Sequence, residues 1–134
     1  LGQAKVKREG KDLTIISWSR EVNFALEAAK TLEQEGIDVE VLDLRSLVPL
    51  DWDAIKASIS KTHNAIIVSE EVKRGSFAGE LSAEISEELF DELDAPVERV
   101  CGLNICSPFS PVLEDENFPH PADIVAAVKR VLNK

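Results

Sequence analysis

The sequence predicts an α/β fold in which a mainly parallel sheet carries helices on both faces. Short apolar runs of strand length alternate with segments whose apolar residues recur at the helical period of about 3.6. The order is strand and helix three times, then a strand, an irregular loop and a last helix. Strands that alternate with helices pair mostly in parallel, through right-handed crossovers. With 134 residues, the chain is long enough to bury the core of one such domain.

The N-terminal residues 1–11 are polar, with apolar residues at Ala4 and Val6, which is typical of an edge strand or a linker arm. The chain contains no methionine, even at position 1. We therefore interpret it as part of a longer protein, in which residues 1–11 form an arm or linker from a missing upstream domain. Residues 12–134 are expected to form the domain itself.

The first strand and the first helix are expected from residue 13 onward. Residues 13–18 are a short apolar, β-branched run, which is typical of a buried strand. Ser19 is expected to cap the helix that follows, with Glu21 in its first turn and Gly36 just past its end. The apolar face of this helix consists of Val22, Ala25, Leu26, Ala29 and Leu32.

The second and third strands are predicted over residues 37–44 and 65–68. Asp51 is expected to cap the helix between them, because its carboxylate precedes an apolar face at helical spacing. A third helix is predicted after the third strand. Its apolar face consists of Phe77, Leu81, Ile85 and Leu89.

The C-terminal part is predicted to contain one more strand and one more helix. Pro96 ends the preceding region, and residues 97–103 form the strand. Residues 104–121 contain several prolines and are expected to be extended and irregular, which would allow one strand to run antiparallel. The apolar face of the last helix consists of Ile124, Val125, Val128, Val131 and Leu132.

The residue patterns contain no recognised catalytic or metal-binding signature. His63 lies in K-T-H-N and His120 in F-P-H-P, and neither belongs to a motif such as G-x-S-x-G. Cys101 and Cys106 are five residues apart, which matches neither C-x-x-C nor a zinc pattern. So few cysteines favour a reducing compartment.

Residues 74–79, R-G-S-F-A-G, follow a predicted strand and open a helix, where a phosphate-binding loop would lie. The segment lacks both G-x-G-x-x-G and the G-K-[ST] of a P-loop. We therefore interpret Gly75 as permitting a tight turn and Gly79 as allowing the helix to approach the sheet closely.

Charged residues end two of the predicted strands. Asp43 and Arg45 are two positions apart, so on an extended strand their side chains point to the same side. Open parallel sheets bind ligands at this end, so the pair suits either a ligand site or a structural ion pair. We favour a structural ion pair or a subunit interface, and we assign Glu70, at the end of the next strand, to the same class.

The net charge of −10 argues against nucleic acid as a partner, because binding would require cations to neutralise phosphates. No apolar run approaches the length of about 20 residues that a membrane helix needs. Residues 80–98 contain acidic side chains and no basic one. This stretch is either a solvated helix face or a docking patch for a basic partner.

Six stretches of the sequence resemble, in order and with compatible spacing, the C-terminal domain of the transketolase superfamily. They are residues 10–20, 36–55, 61–71, 94–103, 107–115 and 121–132, and the likeness covers residues 2–133. More narrowly, the chain resembles the β subunits of thiamine-diphosphate-dependent 2-oxo acid dehydrogenases. Among their substrates we favour pyruvate over branched-chain 2-oxo acids and acetoin. The loop after the third strand departs from the family, which is often richer in glycine there.

This resemblance implies a three-layer α/β/α domain with a mixed, mainly parallel sheet. It also implies an oxidoreductase whose thiamine diphosphate and magnesium lie between the α subunit and the N-terminal domain of the β subunit. No catalytic, cofactor-binding or metal-binding residue is therefore carried over to this chain. The implied compartment is the bacterial cytoplasm, or the mitochondrial matrix or plastid stroma of a eukaryote.

The partners that the resemblance implies are the α subunit, a second β subunit and the subunit-binding domain of the dihydrolipoyl acyltransferase core. That domain is typically basic, so the charge of −10 suits it. We assign docking to Asp94, Glu98, Asn133 and the terminal carboxylate of Lys134. Two alternatives stay open: the C-terminal domain of transketolase or deoxyxylulose-phosphate synthase, and a stand-alone regulatory domain that binds a small ligand.

Overall fold

A five-stranded sheet forms the centre of the fold, and the computed structural model describes all residues 1–134. In chain order the strands are β1 (Lys5–Arg8), β2 (Leu13–Ser17), β3 (Val39–Asp43), β4 (Ala65–Val72) and β5 (Glu98–Gly102). Their order across the sheet is β1-β3-β2-β4-β5. The strands β3, β2, β4 and β5 pair in parallel, and β1 pairs antiparallel with β3. The predicted mixed, mainly parallel sheet is confirmed.

Helices cover both faces of this sheet, so the predicted three-layer architecture is also confirmed. The helices are α1 (Glu21–Gln34), α2 (Trp52–Thr62), α3 (Phe77–Glu88), α4 (Pro111–Asn117) and α5 (Pro121–Leu132), with a short 3-10 turn at Phe90–Glu92. The helices α1 and α5 pack on one face, and α2 and α3 on the other. None of the helices combines the length and the apolar character that crossing a membrane demands.

The strand β2 lies at the middle of the sheet and is buried along its whole length. Its Leu13 and Ile15 side chains belong to the core beneath α1 and α5, and Ile16 belongs to the core beneath α2 and α3. Alternate residues therefore serve opposite faces, as the period of two along a strand requires. A strand buried on both faces appears in the sequence as a continuous apolar run, which is why its prediction succeeded.

The N-terminal segment is part of the sheet, because β1 forms its edge beside β3. Asp51 ties this segment down while it caps α2. One carboxylate oxygen of Asp51 accepts the Ala54 N–H at 3.1 Å, and the other accepts the Ala4 N–H at 2.8 Å. The prediction of Asp51 as an N-cap is confirmed.

Two local predictions were wrong. Ser19 does not cap α1: its backbone has a φ of +58°, Arg20 occupies the N-cap position, and no side chain caps the helix. Residues 104–121 are not wholly irregular, because they contain α4. A proline at the first position of a helix loses no hydrogen bond, so Pro111 begins α4 where the sequence suggested only a break.

Candidate functional site

A groove of about 550 Å³ lies between the turn that enters β5 and the last turn of α5. Residues 94–98 line one side, and Arg130, Val131 and Asn133 line the other. We call it the C-terminal groove. It brings together three of the four residues assigned to docking, namely Asp94, Glu98 and Asn133, although Asn133 is distant from the other two in the sequence.

The fourth docking residue, Lys134, is exposed but does not line the C-terminal groove. Its backbone N–H donates to the carbonyl of Lys129 at 2.9 Å. Asn133 has a φ of +56°, so the chain turns away from the helix axis at this point. The backbone of Lys134 therefore helps to close α5, and only its side chain and terminus reach solvent.

The two carboxylates of the C-terminal groove are in different electrostatic states. Glu98 pairs with Arg130, whose Nε lies 3.0 Å from its Oε1. Asp94 is exposed and forms no ion pair; its backbone N–H donates to the carbonyl of His63 at 2.8 Å. A cation arriving from solvent would thus meet an available carboxylate at Asp94, whereas at Glu98 it would compete with Arg130.

A second, more apolar groove of about 330 Å³ lies on the other side of residues 94–96. Ser86, Phe90 and Leu93 complete its lining, and Phe90 is 73% exposed. Exposed acidic residues border it, since the C-terminal half of α3 carries Glu87 and Glu88. The acidic stretch that the sequence showed is therefore interrupted by apolar surface, which suits a partner that is both basic and partly apolar.

A separate apolar surface lies beyond the carboxyl end of β5, within residues 103–113. We call it the carboxyl-edge surface. Its exposed large apolar side chains are Leu103, Ile105, Phe109, Val112 and Leu113. Phe109 is fully exposed. Several exposed large apolar side chains within one short segment make it a candidate interaction site. The strand β5 runs between this surface and the C-terminal groove, and a cavity of about 310 Å³ lined by Glu98, Leu103 and Arg130 adjoins both.

The Asp43–Arg45 ion pair that the sequence suggested does not form. Asp43 Oδ1 accepts the backbone N–H of Arg45 at 3.0 Å, and its Oδ2 lies 4.0 Å from Lys7 Nζ. Arg45 has a φ of +59°, so the strand geometry that would align the two side chains has already ended. Its side chain is exposed. Glu70 does form an ion pair, but with Arg20, at 3.3 Å.

The remaining candidate side chains bond mainly to the protein's own backbone. His63 Nδ1 lies 2.8 Å from the carbonyl of Glu92, and His120 Nε2 lies 2.7 Å from that of Asp115. Burial raises the pKa of the Cys101 thiol. No group of three or more His, Cys, Asp or Glu side chains is placed to hold a metal ion.

The N-terminus of α3, where an anion was considered, is filled by the protein itself. Ser76 Oγ accepts the Gly79 N–H at 3.3 Å, and Glu71 Oε1 accepts the Ala78 N–H at 3.0 Å. A carboxylate thus occupies the position that a phosphate would take. The interpretation of Gly79 as a close-packing residue was wrong, because an added Cβ would meet only Arg99 Nη1, at 3.4 Å.

The burial of Glu21 at the start of α1 was not identified from the sequence. Glu21 is completely buried, and neither of its carboxylate oxygens has a hydrogen-bond partner. Burial raises the pKa of Glu21 from 4.5 to about 7, while the neighbouring Arg20 opposes this rise. A signal was present: Glu21 shares the helical spacing of the buried Ala25, Ala28 and Leu32, which places it on the inward face.

Comparison with known proteins shows similarity along nearly the whole chain. Residues 2–124 match the family described as transketolase, C-terminal domain. The acetoin:2,6-dichlorophenolindophenol oxidoreductase subunit beta of Bacillus subtilis is 46% identical over 134 residues, covering 100% of this chain and 39% of that protein. The pyruvate dehydrogenase E1 component subunit beta-1, mitochondrial, of Arabidopsis thaliana is 45% identical over 130 residues, covering 97% and 36%. This chain thus spans less than half the length of these relatives.

Solved structures share the fold. A split gene transketolase, described as an inactive β4 tetramer, superimposes with a TM-score of 0.82 and 33% identity. The match covers 98% of this chain and 43% of that one. A transketolase from Pichia stipitis superimposes with a TM-score of 0.68 at 16% identity, covering 98% of this chain and 18% of that one. At that identity the likeness concerns the fold alone.

Proposed function

Because this chain belongs to the family of transketolase C-terminal domains, we propose that it is the assembly domain of the β subunit of a thiamine-diphosphate-dependent 2-oxo acid dehydrogenase. Its proposed roles are to pair subunits and to dock the parent enzyme to a dihydrolipoyl acyltransferase core. The similarity to β subunits of pyruvate dehydrogenase and of an acetoin oxidoreductase supports this assignment. The observation that carries the docking role is the meeting of Asp94, Glu98 and Asn133 in one groove.

The chemistry of the parent enzyme is proposed to lie outside this chain. Since the chain spans 36% to 39% of these two relatives, the rest of the β subunit and an α subunit would hold thiamine diphosphate and magnesium. Residues 12–134 form the body of the C-terminal domain in this proposal, and residues 1–11 connect it to the rest while supplying its edge strand β1. The compartment is the bacterial cytoplasm, or the mitochondrial matrix or plastid stroma of a eukaryote. Pyruvate stays the predicted substrate of the parent enzyme, with acetoin as the alternative, because the relative named for acetoin is 46% identical and the relative named for pyruvate is 45% identical.

The proposed docking role depends on electrostatics and on the apolar surface beside them. A basic subunit-binding domain is attracted by the charge of −10, which raises the association rate. Asp94 is the groove carboxylate that is free to accept an ion pair. The adjacent groove with its exposed Phe90 supplies apolar contact area. Charge therefore selects the partner, while the apolar contacts hold it.

Replacing Asp94 by asparagine is expected to weaken docking about fivefold and to reduce its dependence on salt, because one exposed ion pair is lost. The measurement is calorimetric titration of the chain with a purified subunit-binding domain of a dihydrolipoyl acyltransferase, at low and high salt. Glu27→Gln is the matched control, since Glu27 is an exposed carboxylate on α1.

The prediction is contradicted if the wild type, Asp94→Asn and Glu27→Gln bind with equal affinity and equal salt dependence. The C-terminal groove would then not be the docking site. If the folded wild type fails to bind at either salt concentration, docking by the isolated domain is contradicted. Docking would then need the full β dimer, or the parent would be a transketolase-type enzyme, the alternative that the match to a split gene transketolase favours.

The carboxyl-edge surface is proposed to pair this chain with a second copy. The similar split gene transketolase is described as a β4 tetramer, so β chains of that protein associate with one another. The C-terminal groove lies at the amino end of β5 and the carboxyl-edge surface beyond its carboxyl end, so pairing and docking would use different residues on adjacent surfaces.

Replacing Phe109 by aspartate is expected to weaken self-association at least tenfold, on the order of the loss of one interface hot spot. Sedimentation velocity over a range of protein concentrations measures the effect. Phe90→Asp is the matched control, because Phe90 is also an exposed apolar residue but lies beside the docking groove. A wild type that stays monomeric, or an equal loss in both variants, contradicts the pairing surface.

A further inference from the structure

Glu21 occupies a position that suits a neutral side chain. Its carboxyl group is completely buried, and neither oxygen accepts or donates a hydrogen bond. Leaving a charge buried without a partner is strongly unfavourable. The charged groups that act on it are Arg20 on α1, Glu70 on β4, and His120 and Asp123 at the start of α5. The native packing is therefore complete only when Glu21 carries its proton.

The start of α1 is also where the connection between β5 and α5 is attached. The Arg20 guanidinium lies 4.6 Å from the centre of the Phe118 ring. The rings of Phe24 and His120 are 6.0 Å apart. The end of the segment 103–120, at Phe118 and His120, is thus held against α1 by two side chains close to Glu21, those of Arg20 and Phe24. The same segment carries the carboxyl-edge surface at its exposed end.

Ionisation of Glu21 would act directly on these contacts. Arg20 already pairs with Glu70 at 3.3 Å. When Glu21 ionises, the single positive charge of Arg20 therefore has to balance two carboxylates, those of Glu70 and Glu21. Glu70 and Asp123 repel the new charge, whereas His120 and Arg20 attract it. Burial raises the pKa of Glu21 to about 7, which places the ionisation near neutral pH. Water can solvate the charge only if the groups packed around it move apart, and His120, at the end of residues 103–120, is one of these groups.

We propose that Glu21 is a proton-controlled latch: the neutral side chain keeps residues 103–120 seated on α1, and its ionisation releases them. The carboxyl-edge surface is then presented in a fixed shape at mildly acidic pH and in a mobile state at mildly alkaline pH. This inference depends on the buried carboxyl group and its neighbours, and it does not depend on the proposed function.

The test is amide hydrogen exchange of the 134-residue chain at pH 6 and pH 8, measured by mass spectrometry. Protection is calculated after correcting for the pH dependence of the intrinsic exchange rates. In the wild type we expect the protection of residues 103–120 to fall about tenfold between these pH values, because the open state gains the charge. At both pH values their protection should be at least a hundredfold lower than that of β2 and β4. In Glu21→Gln we expect the protection of the segment to be the same at pH 6 and pH 8.

Glu27→Gln, an exposed change on the same helix, should behave as the wild type does. Glu21→Met provides a second variant if the buried amide of Glu21→Gln prevents folding, and it should also show no pH dependence. The same pH dependence in the wild type and in the Glu21 variants overturns the latch. Equal protection of residues 103–120 and of β2 and β4 also overturns the latch. In that case the segment would open only when the whole chain unfolds, and ionisation of Glu21 would not release it separately.

Discussion

Glu21→Gln is expected to stabilise the folded chain by about 3 kcal/mol at pH 8 and to have little effect at pH 4.5. The glutamine side chain keeps the shape of the neutral acid and cannot ionise. The expected gain follows from the pKa of Glu21, which burial raises from 4.5 to about 7, at about 1.4 kcal/mol for each pH unit of difference. Urea denaturation of both proteins from pH 4.5 to pH 8 measures it.

The direction of this effect follows from proton binding in the two states. Below pH 4.5 Glu21 is neutral in both the folded and the unfolded chain, so it costs no stability. Between pH 4.5 and about pH 7 the unfolded chain releases this proton while the folded chain retains it, so the free energy of unfolding falls as the pH rises. Above about pH 7 the loss is complete.

Comparison of the two proteins isolates this group, because the other ionisable residues titrate in both. The control is Glu27→Gln on the same helix, where the side chain is exposed, and we expect a change within about 0.5 kcal/mol at every pH. Parallel stability curves for the wild type and Glu21→Gln would show that Glu21 ionises normally in the folded chain. That result would also contradict the proposed latch, which requires Glu21 to be neutral in the folded chain at mildly acidic pH.

Gly10→Ala is expected to destabilise the chain by about 3 kcal/mol or more, because no space exists for one additional methyl group. Its Cβ would overlap the backbone of Val39 and Glu40 and would lie only 2.5 Å from the carbonyl oxygen of Val39. These atoms belong to β3, a strand paired on both sides, so they cannot move aside. Chemical denaturation at neutral pH measures the loss.

Because β3 cannot move, Gly10 itself would have to shift away from it in Gly10→Ala. That shift would disturb a buried polar network around Glu40 on β3. Glu40 is 1% exposed, accepts the Ser58 hydroxyl at 2.6 Å and the Gly10 N–H at 3.3 Å, and pairs with Lys61. Moving Gly10 takes a donor away from a buried carboxylate, which adds a desolvation cost to the steric one.

Gly79→Ala is the matched control for Gly10→Ala. Gly79 lies within α3, and an added Cβ would meet only Arg99 Nη1 at 3.4 Å. Alanine also favours the helix, so this variant should be stabilised by up to about 1 kcal/mol. A Gly10→Ala protein as stable as the wild type would mean that the connection between β1 and β2 is not packed against β3 as described.

The candidate site shows which of its features local sequence could indicate. Asp94 and Glu98 belong to an acidic stretch that is visible in the sequence, and the docking role proposed for them came from resemblance to a family. Their meeting with Asn133 depends on α5 packing beside β5, which no local pattern reports. Arg130 neutralises Glu98 for the same reason. Only the fold therefore shows that Asp94, and not Glu98, is the carboxylate without an ion pair in this groove.

Two wrong expectations have a common physical origin. Asp43 and Arg45 were placed on one side of a strand, and Ser19 was placed at a helix cap, on the assumption of regular backbone. In the structure Arg45 and Ser19 both have positive φ values, +59° and +58°, at the carboxyl ends of neighbouring strands. The backbone there is bent by the way each strand leaves the sheet, and that depends on tertiary packing.

The sequence by itself determined the α/β class, the alternation of strands and helices, the Asp51 cap and the family, because these depend on periodicity, local capping and motifs in order. Tertiary structure alone decided that β1 joins the sheet antiparallel to β3, and that Glu21 is buried without a hydrogen-bond partner. It also decided that two distant segments form the C-terminal groove. These features arise from contacts between residues far apart in the chain, whose energies no local pattern contains.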